Sequence, residues 1–538
     1  MRWTRRHSRS ISVVVKDFRE EDAVYHFLHR HAAKVMGVLS GFDRLLLRGT
    51  LRALSYVNGM KGFLDGRNVH LKDFGDYAQA TTELVKAAVV REAEEHGRPI
   101  EYLLSGRIRK DEKAREIVAR DGIREGLIAV FSCIEPCMSY EVYRNRATKR
   151  IELKSRQRKC LHYYQYRIDP VFGFMGARIQ SWFPFSIQIT INGREWLSRR
   201  MDDAGIEYLR RDNCFAWIDD VERAQRIMDR QLRLAWPRHL DRIARLLNSA
   251  HGQIFRGDPK AYYWSVAQSE WATDMMFYDA PTLASIYPAL VEHAMGTFSS
   301  PDVIRFLQGR IHHPFKGEVV SDFKNRPEGV RVKHRLDENS VKIYDKQGSV
   351  LRVETTINEP GRFKVYRPKE GEPDGELDWR PMRRGVADLH RRAHVSQNAI
   401  DRYLDALAAA DTSQRLGTIL EQVTAPRIWK DRRVRGLRPW MREDIDLLSA
   451  ISQGEFAING LRNRDLRGLL YDSAASDRNE RRKRSARISR LLRLLRAHGL
   501  IKKVSRTHRY VVTAKGHAIT TAVRAAQVVT LNQLRAAA

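Results

Sequence analysis

A helix that separates leucines from arginines is the sequence feature that most constrains how the C-terminal part of the chain can fold. Residues 485–498 read SARISRLLRLLRAH, which at 100° per residue places the apolar side chains on one face. That face consists of Ile488, Leu491, Leu492 and Leu495. The opposite side carries Arg487, Arg490, Arg493 and Arg496. One face must therefore pack on a core, while the other presents guanidinium groups to water or to an anionic partner.

The residues around this helix predict a small domain of short helices with one hairpin. The expected elements are helices over 445–451 and 463–471, strands over 500–504 and 509–513, and a last helix over 514–523. Gly499 can supply the positive φ that ends the long helix. The two strands enclose a basic tip, so they predict a β-hairpin directly after a helix.

This pattern resembles the winged-helix domains of the MarR-like DNA-binding regulators, with HGLI closing the third helix and YVVTAKG ending the hairpin. In that family the third helix enters the major groove, and the hairpin, or wing, touches the backbone or the minor groove. The resemblance assigns the groove to Arg487, Arg490 and Arg493. It assigns the wing contacts to Arg506 and Arg509. A basic segment at 476–484 precedes the third helix as an insertion that departs from the family pattern.

Charge in this region has one sign. Between Arg478 and Arg509 there are thirteen Lys or Arg residues and one Glu. A solvated face normally mixes both signs, whereas phosphate neutralisation accounts for an excess of positive charge. The residues expected to bind nucleic acid are Arg481, Arg482, Lys483, Arg484, Arg487, Arg490, Arg493, Lys502, Lys503, Arg506 and Arg509. The alternative is a winged helix that serves as a protein–protein module.

Charge over the whole chain favours the same class of partner. The 538 residues carry 96 Lys+Arg against 65 Asp+Glu, a net charge of +31. A compact fold with that surplus repels itself unless a polyanion neutralises it, and nucleic acid is the commonest one. An apolar run of about 18 residues and a secretory signal are both absent from the sequence. We therefore expect DNA as the partner, RNA as the alternative, no membrane, homodimerisation as an option, and a cytoplasmic, nucleoid-associated location.

Four cysteines are too few for a disulfide framework in a chain of this length, so free thiols are expected. They are Cys133, Cys137, Cys160 and Cys214. Three of them, together with His162, suggest a zinc site. The closer CxxC spacing usual for zinc is missing, which favours buried thiols.

The length predicts about two to four domains. The predicted fold class is an α/β or α+β multidomain core followed by a C-terminal winged helix-turn-helix domain. The predicted segments are 1–20 (basic N-terminal arm), 21–125 (α/β), 126–250 (strand-rich, then helical), 251–367 (helical with a β-hairpin), 368–441 (linker and helical connector) and 442–538 (winged helix). Helical spacing predicts helices at 23–39 and through most of 261–308, and the apolar run 45–47 predicts a short buried strand.

Residues 340–358, SVKIYDKQGSVLRVETTIN, predict strands at 340–344 and 350–357 joined through Gly348. The stretch resembles the YDK…LR-E signature of plasmid and phage rolling-circle replication initiators, in which two strands set a carboxylate and a tyrosine near a DNA phosphate. The resemblance implies catalytic roles for Tyr344, Glu354 and Lys346. The His-hydrophobic-His motif of many such nickases is absent. The alternative is an ordinary hairpin with an ion pair between Arg352 and Glu354.

Acidic residues allow a second kind of chemistry. Metal-dependent nucleases and transposases place two or three carboxylates from separate strands around Mg²⁺ for in-line phosphoryl transfer. Asp43 lies beside a buried strand, Asp169 lies at a strand end, and Glu354 lies in the predicted hairpin. These three are the predicted metal ligands, with Mg²⁺ as the cofactor. Asp274 and Asp322 are further candidates.

Aromatic residues interleave with basic ones in the middle of the chain. The aromatic residues are Tyr163, Tyr164, Tyr166, Phe172, Phe174, Trp182, Phe183 and Phe185, and the basic ones are Lys159, Arg167 and Arg178. Rings on a sheet beside arginine can stack unpaired bases, as in single-strand binders, although such rings more often form a core.

Three functions fit these observations. The first is a DNA-processing protein of a mobile element, of the nickase, transposase or replication-initiator type. The second is a non-enzymatic winged-helix regulator or architectural protein, and the third is an RNA-binding component of a ribonucleoprotein. Metal-dependent strand scission that disappears in Glu354→Gln separates the first from the other two.

Overall fold

The computed structural model describes residues 23–104, 108–296, 298, 300–307, 318–326, 329–372, 374–408, 416–451, 461–471, 473, 475–504 and 508–528. The predicted basic arm at 1–20 lies outside the described residues, as does Arg506. Helices and strands both occur along the described chain, which confirms the mixed α and β class predicted for the core.

Eleven strands of the described chain form one mixed sheet, in the order β10-β11-β12-β13-β9-β1-β6-β5-β4-β3-β2. Its strands are β1 (Val35–Thr50), β2 (Ile100–Tyr102), β3 (Gly126–Arg144), β4 (Ile151–Asp169), β5 (Gly173–Gln180), β6 (Ile187–Asn192), β9 (Tyr263–Phe277), β10 (Val319–Arg326), β11 (Gly329–Leu336), β12 (Asn339–Lys346) and β13 (Val350–Ile357). The remaining strands pair two by two: β7 (Tyr208–Arg211) with β8 (Cys214–Ile218), β14 (Lys364–Arg367) with β15 (Asp378–Pro381), β16 (Arg427–Trp429) with β17 (Arg432–Val434), and β18 (Ile501–Lys503) with β19 (Tyr510–Val512).

The helices are α1 (Ala23–His31), α2 (Val57–Asp65), α3 (Phe74–Glu95), α4 (Lys110–Asp121), α5 (Gly193–Asp203), α6 (Val221–Arg230), α7 (Trp236–Leu247), α8 (His251–Ile254), α9 (Ala280–Ala284), α10 (Tyr287–Gly296), α11 (Ser300–Phe306), α12 (Leu389–Leu407), α13 (Leu416–Thr424), α14 (Arg442–Ile451), α15 (Asn463–Leu470), α16 (Arg478–Ala497) and α17 (Ala514–Val528). Within the described chain, none of them combines the length and the apolar character needed to cross a membrane.

The chain divides into two compact units, each assembled from separated stretches. Unit 1 comprises 1–36, 275–353 and 398–538, and unit 2 comprises 37–274 and 354–397. The six segments expected from the sequence are consecutive along the chain. Composition shifts mark positions in sequence, whereas strand pairing brings distant stretches into one unit.

Two helix predictions are wrong, and both errors affect the site. The first helix ends at His31, and β1 then takes over residues predicted to be helical. The stretch predicted as mostly helical from 261 onward begins instead with the 15-residue strand β9. In both places buried β-branched, aromatic and small residues pack against neighbouring strands, so tertiary pairing outweighs the apparent helical spacing.

Two glycines of unit 2 let helices approach β1 closely. A Cβ at Gly193, the first residue of α5, would lie 1.8 Å from the carbonyl oxygen of Phe42. A Cβ at Gly41 would lie 2.2 Å from the terminal methyl carbon of Met228 in α6. The side chain of Asn192 fixes the start of α5 by accepting a hydrogen bond from the Glu195 amide at 2.9 Å. These contacts bring α5 and α6 against the part of β1 that contains Asp43.

The predicted hairpin of residues 340–357 is confirmed as strands β12 and β13. Its turn contains Gln347 at φ 57° and Gly348 at φ 81°. Positive φ angles at these two residues let the chain reverse sharply in the three-residue connection between β12 and β13.

The C-terminal elements of unit 1 share a core of their own. Leu447, Leu466, Leu495 and Ile519 are buried in it, together with Val423 from the stretch predicted to be a connector. Helix α16 begins at Arg478, where the Asp477 side chain accepts a hydrogen bond from the Glu480 amide at 2.7 Å. The basic segment interpreted as an insertion before the third helix is therefore the first part of that helix. Its predicted cap is confirmed, with Gly499 at φ 73°.

Candidate metal centre

Three carboxylates from three adjacent strands of the sheet come together in unit 2. Asp43 lies in β1, Glu270 in β9 and Glu354 in β13, and these strands are neighbours in the order β13-β9-β1. One carboxylate oxygen from each lies within 4.8 Å of the other two. Asp43 is 5% exposed and Glu354 is 1% exposed, while Glu270 is half-buried. We call this group the acidic triad.

A chain of two asparagines orients the Asp43 carboxylate. The Nδ2 of Asn213 donates to Oδ1 of Asp43 at 2.6 Å. The Oδ1 of Asn213 in turn accepts from Nδ2 of Asn192 at 2.7 Å. Asn213 occupies the turn between β7 and β8, and Asn192 is the residue that caps α5. The triad thus has a supporting layer of polar side chains, which is how metal ligands are commonly held in place.

A buried arginine forms an ion pair with Asp274, a residue on the same face of β9 as Glu270. Glu270, Ala272 and Asp274 alternate along β9 and so project from one face. The fully buried Arg194 places Nη2 3.0 Å from the Asp274 carboxylate and 3.1 Å from the Ala272 carbonyl oxygen. Arg194 and Asp274 thus form a buried ion pair on the strand that also carries Glu270.

The other face of β9 is fixed by contacts that hold the strand in register. The indole Nε1 of Trp271 donates to Oε1 of Gln397 in α12 at 2.7 Å. The ring of Trp271 meets that of Phe42 edge to face, with centroids 4.9 Å apart. Thr273 shares a hydrogen bond of 2.8 Å with Ser40. These contacts lock β9 beside β1, so the triad stands on rigid backbone.

Three carboxylates this close repel one another, and burial removes the water that would screen them. A divalent cation resolves both problems. Oxygen-only ligands suit Mg²⁺, Mn²⁺ or Ca²⁺ rather than zinc or copper. The donor set therefore fits the hard cation that the sequence predicted.

The structure brings two of the three predicted metal ligands together, Asp43 and Glu354. The third, Asp169, has other partners: its Oδ2 lies 2.6 Å from Nη2 of Arg242, and its Oδ1 accepts from the backbone amides of Val171 and Phe172. Asp169 therefore stabilises the turn after β4 and is not among the triad ligands. Asp322 lies 3.1 Å from the guanidinium of Arg331.

Glu270 completes the triad and was missed because residues around it were interpreted as helical. In YWSVAQSEWATDMMF the apolar–polar alternation typical of a strand holds only from Trp264 to Val266. Glu270 lies outside that short alternation, so no local pattern marked it as a strand residue. A strand interpretation would have added it to the acidic candidates.

Two of the three hairpin residues given catalytic roles by resemblance, Tyr344 and Lys346, lie on β12 in unit 1, whereas the third, Glu354, is the triad member on β13. Tyr344 is 7% exposed, and the Nζ of Lys342 lies 5.4 Å from its ring centroid. Lys346 is half-buried at the end of the strand. A nucleophilic role for Tyr344 and a phosphate contact for Lys346 stay predictions.

The basic residues of α16 divide by environment. Arg481, Arg482, Lys483, Arg490 and Arg493 are exposed. Arg484 is half-buried; it donates to the Ser473 carbonyl at 2.6 Å, and its guanidinium carbon lies 4.6 Å from the Tyr471 ring centroid. Arg487 pairs with Glu443 at 2.8 Å. Lys502, Lys503 and Arg509 are exposed around the β18–β19 hairpin. The exposed basic residues of α16 form a surface that a phosphate backbone can reach. We call it the α16 surface, and it consists of Arg481, Arg482, Lys483, Arg490 and Arg493.

All four cysteines are free thiols, and Cys133, Cys160 and Cys214 are buried as expected. Burial is the main factor that raises the pKa of the Cys133 thiol. A neutral thiol is a poor nucleophile, so this residue belongs with the core.

The chain matches no family model, no curated protein and no solved structure. Its function must therefore be argued from the triad, the charge distribution and the arrangement of the elements.

Proposed function

We propose that this protein is a divalent-metal-dependent enzyme that cuts or transfers phosphodiester bonds in nucleic acid. The observation that carries the proposal is the acidic triad, in which three carboxylates from adjacent strands have oxygens within 4.8 Å of one another. Carboxylates from neighbouring strands around one or two divalent cations are a recurring solution for in-line phosphoryl transfer.

The charge distribution supports nucleic acid as the substrate. The net charge is +31, and the exposed members of the α16 surface lie on one helix of unit 1. Phosphate contacts of this kind supply affinity and position without reading sequence. A net positive charge attracts a polyanion such as nucleic acid, whereas it gives no such attraction to a small neutral substrate.

The order of the C-terminal elements supports DNA recognition by a winged helix. Helices α14, α15 and α16 are followed by the β18–β19 hairpin and then by α17. Leu461, just before α15, forms a single antiparallel bridge with Tyr510 of β19. This order of helices and hairpin is the one that the winged-helix resemblance predicts, and in this proposal α16 is the helix that would enter the groove.

The residues of the triad have separate tasks in this proposal. Glu354 and Asp43 supply buried, fixed ligands, and Asn213 keeps the Asp43 carboxylate in one orientation. Half-buried Glu270 stands nearest to solvent, where a scissile phosphate would approach. The bound cation would supply Lewis acidity at the phosphate and lower the pKa of an attacking water or hydroxyl.

The experiment that tests the proposal is a cleavage assay with labelled single-stranded and duplex DNA and RNA, in Mg²⁺ or Mn²⁺ and in EDTA. Glu354→Gln and Asp43→Asn remove a charge with little change of shape. We expect cleavage by the wild type to need the metal and to fall by at least about 100-fold in either variant, as when a group acting directly on the transition state is lost. Glu207→Gln, an exposed residue of unit 2, is the matched control and should keep full activity.

Metal binding gives a readout that does not depend on activity. Titration of Mn²⁺ followed by electron paramagnetic resonance should show a bound ion in the wild type and in Glu207→Gln, and weaker binding in the triad variants. Binding of nucleic acid without cleavage under every metal condition would refute the enzymatic proposal. It would favour the winged-helix regulator or the ribonucleoprotein component instead.

A further inference from the structure

A cavity of about 360 Å³ lies in unit 2 between the sheet and the first residues of α4. Its floor comes from β1, β4, β5 and β6, and its rim includes Arg109, Asp111 and Arg115. The volume lies at the lower end of the range of about 300–1,000 Å³ that small-molecule sites occupy. A single nucleotide is a ligand of the right scale.

The lining has a strong excess of positive charge. Four arginines, Arg44, Arg109, Arg115 and Arg178, face one carboxylate, Asp111. Arg178 pairs with Glu135 and Arg109 pairs with Glu112. Within the described part of the chain, neither Arg44 nor Arg115 forms a salt bridge. These two guanidinium groups are therefore available to an anion, and the fork of an arginine matches phosphate well.

Flat aromatic surfaces lie beside these arginines. The guanidinium carbon of Arg115 lies 4.1 Å from the centroid of the Phe174 ring, so the guanidinium lies over the ring. The ring of Tyr166 crosses Gly176, where a Cβ would come within 2.9 Å of it. Tyr164, Tyr166 and Phe174 are only half-buried, whereas Phe172, Phe183 and Phe185 from the same aromatic run are fully buried. Rings and guanidinium planes that keep an open face can stack an unpaired base.

Tyr164 and Arg178 are held in place by the half-buried carboxylate of Glu135. The Tyr164 hydroxyl donates to both oxygens of Glu135 at 2.6 Å, and the Arg178 guanidinium donates to the same group. Burial raises the pKa of Tyr164, and the hydrogen bond to Glu135 raises it further. The phenol therefore stays protonated at neutral pH and acts as a fixed wall of the cavity.

The cavity is connected to the acidic triad through neighbouring residues of unit 2. Arg44 directly follows Asp43 in β1. Asn192 lines the cavity, and it donates to Asn213, which donates to Asp43. Arg44 and Asp43 project from opposite faces of the strand because side chains alternate.

We propose that this cavity binds one unpaired nucleotide of a nucleic-acid strand, with a phosphate on Arg44 and the base stacked on Arg115 and Tyr166. The inference rests on the proposed function, because it makes single-stranded nucleic acid the substrate of the same enzyme. Duplex DNA cannot place a stacked and paired base in a cavity of this kind without unpairing it.

The test is binding of a fluorescein-labelled 12-nucleotide single strand and of the matching duplex, measured by fluorescence anisotropy in EDTA. EDTA removes any contribution from metal or cleavage. The double variant R44A/R115A should weaken single-strand binding at least about tenfold. It should also lower the slope of log affinity against log salt by about one, as expected for the loss of one phosphate contact. The control R146A/R150A removes two exposed arginines from the turn between β3 and β4 and should change affinity by less than about threefold.

A crosslinking experiment on the wild-type protein covers the case in which R44A/R115A does not fold. Single strands carrying 5-iodouridine at successive positions are irradiated, and the linked peptide is identified by mass spectrometry. A link within β4 or β5, at Tyr164, Tyr166 or Phe174, supports the cavity. Links confined to the C-terminal helices and hairpin would overturn it.

The outcomes separate this inference from the function it depends on. If R44A/R115A binds like its control, or loses duplex and single-strand affinity equally, the cavity proposal is wrong while metal-dependent cleavage is unaffected. If R44A/R115A loses single-strand affinity in EDTA but the wild type never cleaves the strand, the enzymatic proposal fails and nucleotide binding in the cavity stands.

Discussion

At the scale of single residues, the Asp43 carboxylate is a proposed metal ligand whose orientation is set by a distant part of the chain. It is buried in β1, and its orientation comes from Asn213 in a hairpin turn 170 positions away. A side chain in that role fixes which oxygen faces the cation and limits the motion of the ligand. In the proposed site, Asn213 would therefore contribute to metal affinity without touching the metal.

Replacing Asn213 by Ala should lower Mn²⁺ affinity about tenfold, because supporting partners of metal ligands typically contribute 10- to 100-fold. The measurement is an Mn²⁺ titration followed by electron paramagnetic resonance. Gln79→Ala on α3 removes an exposed amide and serves as the control. Equal affinities in the two variants would mean that the asparagine does not position Asp43.

His334 gives the clearest pH dependence in the structure. Burial lowers its pKa from 6.5 to about 4, and its Nδ1 makes a 2.8 Å hydrogen bond with Ser321. The unfolded chain takes up this proton below pH 6.5, whereas the native imidazole takes it up only near pH 4. Stability from this group is therefore complete above pH 6.5 and is lost as the pH falls towards 4.

The predicted loss is about 3 kcal/mol of unfolding free energy between pH 6.5 and 4, since each pKa unit corresponds to about 1.4 kcal/mol. Urea unfolding across this range should show a shallower acid dependence in His334→Gln than in the wild type. The exposed His70 is the control, and His70→Gln should keep the wild-type slope. Identical slopes in all three proteins would show that His334 titrates normally in the native state.

At the scale of elements, the approach of α5 to β1 determines whether the Asp43 side of the site can form. Gly193 begins that helix against the Phe42 carbonyl, and no larger residue fits there without a shift. Asn192, one residue earlier, both caps the helix and reaches Asn213. Displacing α5 would therefore disturb packing and ligand orientation together.

Gly193→Ala should destabilise the protein by about 1–3 kcal/mol, the usual range for overpacking, and should also weaken Mn²⁺ binding. Thermal unfolding and the Mn²⁺ titration measure the two effects. The control is Gly62→Ala in α2, where a Cβ meets nothing within 4 Å. That change should leave metal binding intact and stabilise its helix slightly. A destabilised Gly193→Ala with normal metal affinity would separate the helix position from the site.

The elements also show what the sequence could and could not reveal. Strong local signals were read correctly: the leucine and arginine faces of α16, the cap at Gly499, and the hairpin turn at Gln347 and Gly348. Strand β9 was missed because its apolar residues also fit a helical spacing, and with it Glu270 was lost. Asp169 looked equivalent to Asp43 in sequence, whereas in the structure it contacts Arg242 and the backbone amides of Val171 and Phe172. Long-range pairing decides such cases, and a single sequence does not record it.

At the scale of the whole molecule, the two units are assigned different tasks in the proposed function. Unit 2 carries the acidic triad and the arginine-lined cavity, and unit 1 carries the α16 surface. Chemistry and target recognition would then depend on separate residues. Variants in one unit should change one property and leave the other.

Double substitution R490A/R493A tests this separation. It should weaken duplex DNA binding and lower the slope of log affinity against log salt by about 2, one per lost phosphate contact. Mn²⁺ affinity at the triad should not change. The matched control is R146A/R150A in unit 2, which should leave duplex binding close to that of the wild type. A loss of Mn²⁺ affinity in R490A/R493A would mean that the units do not divide the work as proposed.

The most direct test of the central claim is anomalous diffraction from crystals soaked in Mn²⁺. The account predicts an anomalous peak between the carboxylates of Asp43, Glu270 and Glu354, with metal–oxygen distances near 2.2 Å, and its loss in crystals of Glu354→Gln. Two results would contradict the account. One is the absence of an anomalous peak at the triad at Mn²⁺ concentrations that support cleavage, and the other is a peak only at another site.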